Sequence, residues 1–546
     1  MNKKLKPING KAKNIKLMSI DTEDDSKGNV ILIGIYDGSS YYSFENQENA
    51  IEFLLSLNPK SNTYIWATNL MYDLVNIFYG YFYLLEIIFN GSNVVCAKLK
   101  GTNIYFCDTL NHSKISVKEM GEIIGLKKLE FNPDSKSYNK RDCEITYNFM
   151  KVLDNYYNKL NTSCKFTIAS TALDLFRRNY LSINISKPKD EIIELLKKSY
   201  YGGRCEIFNM NKIKGEIYYY DINSLYPYIM LNNLFPNPNH FELYYGDENF
   251  SLDNFGVCAC EITTTENYLP VLPYKSDSGK LIFPIGTFSG VWALPEIKKA
   301  VEKGYKINHI FFHIKYKYAD YYFKQYVNDL YSKRLETDDK YMNMVCKILL
   351  NSLYGKFAQG NESYKLVPLS ECDGNELYCI DNMVFKKIIR DYPVHSNFIW
   401  SIYTTSLARL HLFSYLEEVY KKGYKLLYCD TDSIIYEGKK LFDESNNLGG
   451  VKIEGKFSEG MFLLPKMYYL KSKKYEVYTA KGIPKYLSKD FIEFGKVEFE
   501  KPIKLREGLR RNIKPNLWVK HLKQNKGIYD KREIIEDGST FPLTVF

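Results

Sequence analysis

Residues 426–438, LLYCDTDSIIYEG, place Asp430 and Asp432 at the crest of an apolar segment with only Thr431 between them. Short apolar runs bounded by a polar turn read as two strands, so both acids would ride the tip of a hairpin. One reading makes them the solvated acids of an ordinary turn. The other makes them metal ligands for phosphoryl transfer, in which two divalent ions about 3.5–4 Å apart neutralise charge on the attacking and leaving oxygens. That second reading constrains the fold, because a third carboxylate must reach the same sheet edge from another strand.

Asp221 meets the condition. It closes the apolar run of GEIYYYDINSLYPYIM, a strand running into a helix, although as the first residue of DINS it also suits a helix N-cap. Between the two, KILLNSLYGKF spaces Lys347, Asn351 and Tyr354 at i, i+4 and i+7, one face of a helix, with Leu349, Leu350 and Leu353 on the others. That face is either a solvated stripe or a surface for a triphosphate and a base. Residues 326–358 read as two helices around the ETDDK turn, and SIYTTSLARLHLFSYLEEVYKKG as a long helix stopped by Gly423.

The first third has a different pattern. IKLMSIDTED and NVILIGIYDG read as paired strands joined at DSKG, and NAIEFLLSL as a helix, predicting a compact α/β unit that ends near residue 170. Asp21 and Glu23 lie two apart on the first strand and project from one face. Their companions are Asn69 and Asp73 in NLMYDLVNIF, and Tyr138 and Asp142 at i, i+4 in YNKRD. DEIIELLKKSYYGGRCEIF then reads as a helix broken at Gly202 and Gly203 and followed by a strand, a hinge into a second unit.

At 546 residues the chain has room for several domains, and 45% hydrophobic with 25% charged residues describes a globular protein rather than a disordered one. The charge of +10 suits a polyanion partner, and 49 Tyr and 32 Phe interleaved with Lys and Arg offer faces on which single-stranded nucleic acid stacks. The 11 cysteines are scattered without a C-x-x-C pair, which points away from a zinc site or disulfide framework and toward a reducing compartment. The longest apolar run, LVNIFYGYFYLLEIIF, is too short to span a bilayer, and no signal-peptide stretch precedes the first acids. No membrane partner is expected.

DINSLYP, KILLNSLYG and YCDTDS, in that order, resemble motifs A, B and C of the family B DNA polymerases. The resemblance implies that Asp221 and Asp432 are the main metal ligands, with Ile222 beside Asp221 in the ligand set and Asp430 in support. It puts Lys347 and Arg334 on the incoming phosphates, Lys333 matching Arg334 on spacing. Tyr226 would close the sugar pocket against a 2′-hydroxyl, and Asn351, Tyr354 and Gly355 would shape the nucleotide pocket. PKMYYLKS resembles the family's K-x-Y element, with Lys466 and Tyr468 on one strand face holding the primer end. The order D-x-E, N-x-x-x-D, Y-x-x-x-D resembles the three proofreading motifs. It implies a four-carboxylate, two-metal 3′–5′ exonuclease of Asp21, Glu23, Asp73 and Asp142, with Tyr138 orienting the attacking water and Lys127 or Lys128 assisting. Asn69, Tyr72 and Leu110 would hold the frayed primer end. SYYGGR resembles the family's Y-x-G-G link, placing Tyr200, Gly202 and Gly203 on DNA.

Small size, with room for insertions between motifs A and B and between B and C, resembles the protein-primed branch of small phages and linear plasmids. The expected fold is α/β and α+β multidomain: an RNase H-like exonuclease (1–170), a linker (171–205), palm (206–249), a first insertion docking a terminal protein (250–325), fingers (326–358), a second insertion for processivity and strand displacement (359–398), palm again (399–484) and a small thumb (485–546). The resemblance implies two Mg²⁺ per site, with Mn²⁺ as a substitute. The partners it implies are primer-template and single-stranded DNA, deoxynucleoside triphosphates and a terminal protein, the chain acting as a monomer or as a heterodimer with that protein. The expected location is the cytoplasm of an infected or plasmid-bearing cell, or an organelle. The competing reading is an exonuclease or DNA-binding replication subunit whose polymerase half is inactive.

Overall fold

Strand β1 (Lys16–Asp24) is mostly buried, lying between β2 (Val30–Tyr36), with which it pairs antiparallel, and β4 (Thr63–Ala67), with which it pairs parallel. β3 (Tyr41–Phe44) flanks β2, and helix α1 (Gln47–Leu57) starts where the Asn46 side chain caps Asn49 N–H. After α2 (Leu70–Phe78), β5 (Leu85–Asn90), β6 (Asn93–Leu99) and β7 (Ile104–Asp108) extend the sheet from the β4 side. Helix α3 (Lys136–Lys159) lies across β1 and β2 and buries Tyr138, Asp142, Ile145 and Phe149. In this computed structural model the described residues are 3–545, apart from 26, 92, 267, 372–378, 381–382, 512 and 526.

Residues 171–205, expected as a linker, include two helices, the end of α4 (Ile168–Asn179) and α5 (Asp190–Lys197). The second helix stops at Lys197, five residues ahead of the expected break at Gly202. Ser199 Oγ–H donates to Leu196 O at 2.7 Å, and the carbonyls of Tyr201 and Gly202 are taken by the buried Arg409 guanidinium at 2.7 and 2.9 Å, so they are not free to continue a helix.

The second unit opens with β8 (Cys205–Ile207), β9 (Ile213–Ile222) and α6 (Leu225–Asn232). Next come β10 (Phe241–Tyr245), β11 (Phe255–Thr264), β12 (Ile285–Ala293), the unforeseen helix α7 (Leu294–Glu302) and β13 (Lys306–Tyr316). Helices α8 (Lys324–Glu336), α9 (Lys340–Leu350) and the short α10 (Leu353–Lys356) precede β14 (Glu362–Pro368) and β15 (Met383–Ile389). The long α11 (Phe398–Lys421) leads to the hairpin β16 (Lys425–Asp430) and β17 (Ser433–Glu437). β18 (Val451–Leu464), β19 (Met467–Lys471) and β20 (Glu476–Ala480) follow, then the pair β21 (Lys496–Pro502) and β22 (Trp518–Gln524), and finally β23 (Thr544–Val545).

Among the described residues, seven strands in the order β8-β16-β17-β9-β18-β19-β20 form the central sheet, and five in the order β10-β13-β11-β12-β23 a second one. The latter takes its first strand from ahead of residue 250 and its last from the end of the chain. The segment expected as a second insertion, part of which (372–378 and 381–382) lies outside the described residues, is continuous with the first unit: β14 pairs antiparallel with β5, Tyr364 facing Phe89. The two units also share a core that runs from Phe149 through Phe176 and Trp400 to Leu426 and Ile434. Among the described residues no helix is long and apolar enough to cross a membrane.

Candidate active sites

The β16–β17 hairpin puts Thr431 at φ 63°, a left-handed conformation that costs a β-branched residue strain. Its N–H donates to Arg204 O at 2.7 Å, and Asp432 N–H donates to Asp430 O at 2.7 Å, which fixes the turn. β9 runs beside β17 with Asp221 facing Ser433, and Ile222 N–H donates to Asp432 O at 2.7 Å. Asp221 therefore stands beside Asp432 where these two inner strands of the sheet end. It belongs to the strand rather than capping α6, whose cap residue is Ser224. Burial, then the Asp432 charge, pushes the Asp221 carboxyl up to about 7; burial also raises Asp432. Two half-buried carboxylates held side by side gain most from a hard, oxygen-binding divalent cation, so the donor set fits such an ion. Asp430 is differently placed: its Oδ2 accepts from Lys466 Nζ at 2.5 Å and from Tyr428 OH at 3.2 Å.

Lys466 is not on a strand face as expected. It occupies the turn before β19 at φ 62°, the left-handed residue that this hairpin requires, with its N–H on Tyr428 OH at 2.9 Å. Tyr468 lies in β19 with its ring 5.5 Å from that of Tyr428. The continuous helix face expected for Lys347, Asn351 and Tyr354 is also interrupted. α9 ends at Leu350, where Asn351 Nδ2–H folds back on Lys347 O at 2.9 Å and Ser352 Oγ–H on Ile348 O at 2.6 Å, and α10 restarts at Leu353. Lys347, Asn351 and Gly355 are exposed, while the Tyr354 ring centre is 4.4 Å from that of Tyr226. Tyr200 stands close enough to bear on both phenols. Arg334 and Lys333 share the last turn of α8, and the Arg334 carbonyl accepts from Asn343 Nδ2 at 2.9 Å.

In the first unit, Asp21 and Glu23 from β1 and Asp142 from α3 bring carboxylate oxygens within 4.8 Å of one another. Asp73 is not part of this cluster. Seated in α2, it accepts from Thr22 Oγ1 at 2.9 Å, although its charge still acts on Asp21. Burial and the neighbouring acids raise Asp21 strongly, and burial followed by Asp142 takes Glu23 up to about 7. Lys128 forms the ion pair with Asp142 and lies 4.8 Å over the Tyr138 ring, whereas Lys127 contributes a backbone carbonyl to Arg141.

Two residues of this site escaped the sequence reading. Asn139 Nδ2 donates to Asp21 O and Oδ2 at 3.1 and 3.0 Å, and its Oδ1 accepts from Tyr41 OH at 2.9 Å. Its only signal was its place one turn before Asp142. Asp108 accepts the N–H groups of Asn69 and Leu70, both at 3.2 Å, and of Leu110 at 2.9 Å, joining two residues expected on a frayed strand. An Asp two residues ahead of Leu110 in a turn was the available hint. Asn69 itself is left-handed at φ 66°, and Tyr72 OH donates to Asp24 Oδ1 at 2.6 Å.

The family model described as DNA polymerase type B, organellar and viral, matches residues 88–444. The chain belongs to this family. Among curated relatives, a probable DNA polymerase from Ascobolus immersus is 29% identical over 368 residues, 62% of this chain and 30% of that protein. One from Podospora anserina is 26% identical over 79% of this chain and 40% of its own length, and the DNA polymerase of Bacillus phage phi29 is 25% identical over 54% and 51%. The chain thus spans about half or less of the length of these relatives. The structure of phi29 DNA polymerase with primer-template DNA matches with a TM-score of 0.72 at 18% identity, covering 93% of this chain and 100% of that one. The α/β and α+β multidomain type B polymerase fold expected from the sequence is the fold observed.

Proposed function

We propose that this chain is a template-directed DNA polymerase with 3′–5′ proofreading that replicates a linear phage or plasmid genome from a protein primer. The observation that carries the synthetic activity is the placement of Asp221 beside Asp432 on adjacent strands, both carboxyls raised, while Asp430 is paired with Lys466. Mg²⁺ held by Asp221 and Asp432, with the Ile222 backbone alongside, would supply charge neutralisation for phosphoryl transfer.

The chain's own groups account for the rest of the step. Lys347 and Arg334 hold the incoming phosphates, and the Tyr226–Tyr354 pair walls the sugar and base, Asn351 and Gly355 flanking it. Lys466 and Tyr468 hold the primer end beside Asp430, and the Tyr200–Gly203 link carries the strand between sites. Asp21, Glu23, Asp142 and, less directly, Asp73 form the degradative centre, Lys128 orienting Asp142 and Tyr138 the water. Asn69, Tyr72 and Leu110 receive the frayed end. The domain limits, the terminal-protein partner, the nucleotide substrates and a cytoplasmic or organellar site of action belong to this same reading.

Primer extension with the purified chain, Mg²⁺ and labelled deoxynucleotides tests it. Extension of a primed template is expected, as is labelling of a terminal protein by one nucleotide. A chain that degrades single strands but extends nothing would overturn the polymerase assignment.

A further inference from the structure

β8 is an edge strand of the central sheet, with β16 on one side. Its other side is covered by the end of the chain. Ile207 N–H donates to Tyr529 OH at 2.9 Å, Lys531 Nζ to Cys205 O at 3.0 Å, Thr540 Oγ1–H to Ile207 O at 2.7 Å and Thr540 N–H to Phe208 O at 3.0 Å. The free groups of the edge are thus satisfied by residues 529–540.

A buried ion triad sits at the centre of this contact. Arg204 Nε donates to Glu206 Oε2 at 2.6 Å and Arg532 NH1 to Glu206 Oε1 at 3.3 Å, and none of the three side chains is more than 1% exposed. Arg204 also donates to Pro270 O at 2.7 Å, and Arg532 to Thr540 Oγ1 and Tyr268 O, both at 2.9 Å. Burial alone would raise the Glu206 carboxyl, yet the two guanidiniums hold it below its ordinary value. Apolar residues of similar volume fill such a space with less desolvation, so the triad is better explained by what it positions. Glu206 faces Cys429 across β8 and β16, one residue before Asp430, and the Arg204 carbonyl anchors Thr431 N–H at the tip of the turn.

We propose that Arg532 is a positioning residue for the polymerase site: through Glu206 and Arg204 the C-terminal segment 529–540 braces the Asp430–Asp432 turn and sets where Asp432 stands relative to Asp221. The inference rests on the polymerase reading of that turn. Arg532 hydrogen-bonds Glu206, Thr540 and Tyr268 rather than the acids of the turn, so it acts through residues 204–206.

Arg532→Met tests this in the full chain, because it leaves the Arg204–Glu206 pair complete and strands no buried charge. Arg532→Lys and Thr540→Val are the milder companions. Primer extension is followed against Mg²⁺ concentration, with nucleotide KM, single-strand degradation, Mn²⁺ binding by electron paramagnetic resonance and thermal melting measured alongside. Arg532→Met is expected to lower extension by roughly 10- to 100-fold, the range for partners of metal ligands. It should also weaken Mn²⁺ binding and raise the Mg²⁺ requirement, while nucleotide KM and degradation stay unchanged. Arg532→Lys should recover part of the loss, and Thr540→Val should shift the Mg²⁺ requirement in the same direction by less. Wild-type Mg²⁺ dependence in Arg532→Met and Thr540→Val overturns the inference while leaving the polymerase reading intact. So does parallel loss of extension and degradation with a lowered melting temperature, which marks a general stabilising contact. A wild-type chain that extends no primer removes the polymerase reading and this inference with it.

Discussion

Gly203 lies so close to Thr431 that a Cβ at position 203 would stand 2.6 Å from the threonine hydroxyl and 2.8 Å from its methyl. At Gly202 the same atom would meet nothing within 4 Å. The adjacent glycines thus have different reasons to be there. Gly203→Ala must displace the left-handed Thr431 and with it Asp432, so it is expected to lower primer extension while sparing single-strand degradation. Gly202→Ala leaves the free protein unstrained, and any loss should appear as weaker DNA affinity in a binding titration.

The two carboxylate clusters lie on different sheets and are expected to fail separately. Asp432→Ala should abolish extension and retain degradation, and Asp21→Ala should do the reverse. Gel assays of both activities on one labelled primer check this, and equal loss of both in either variant would count against two centres.

The Tyr226 ring packs on Tyr354 at 4.4 Å and fills the wall assigned to the sugar. Tyr226→Ala should relax discrimination against ribonucleotides by roughly 10- to 100-fold, the scale of a lost steric contact in a pocket. Single-turnover incorporation of matched ribo- and deoxynucleotides measures the ratio, and an unchanged ratio removes Tyr226 from this role.

Asp221 and Glu23 titrate at about 7 in the folded chain, against ordinary values of 3.8 and 4.5. Between those limits the metal-free folded chain binds more protons than the unfolded one, so their contribution to stability falls as pH rises from about 4 through about 7. Divalent cations need the ionised form and reverse this. Melting curves should therefore show a larger Mg²⁺-induced rise in Tm above neutral pH than below it; an equal rise on both sides contradicts the assignment.

Lys128→Met removes the ion pair that orients Asp142 and exposes that acid to its carboxylate neighbours. Degradation is expected to slow by roughly 10- to 100-fold, as for other groups that support metal ligands, with extension unaffected. Lys127→Met, which leaves the backbone carbonyl to Arg141 in place, should behave as wild type.

What the sequence made legible was local. Strand-turn-strand patterning put Asp430 and Asp432 at a hairpin tip, and β1 and α3 presented Asp21, Glu23 and Asp142 at the spacings read from the chain. Side-chain choices among near neighbours were less accessible: Asp73 turns to Thr22, and Asn351 caps the helix it was expected to continue, because one hydrogen bond decides each. Pairings between distant segments left no local trace. Nothing in ESYKLVP announces a partner strand in the first unit, and nothing around Arg532 announces a buried acid at Glu206.

The pairing of β14 with β5 also bears on how the chain is made. Lys365 and Glu86, which meet across it, are 279 residues apart in sequence. At ordinary ribosomal rates β5 emerges on the order of 15 to 55 s before its partner. During that interval the newborn first unit carries an open strand edge, a template for pairing with another chain. Nascent products halted before residue 362 are therefore expected to be the aggregation-prone ones, and synthesis at low temperature or with chaperones present should raise the yield of full-length protein for this reason.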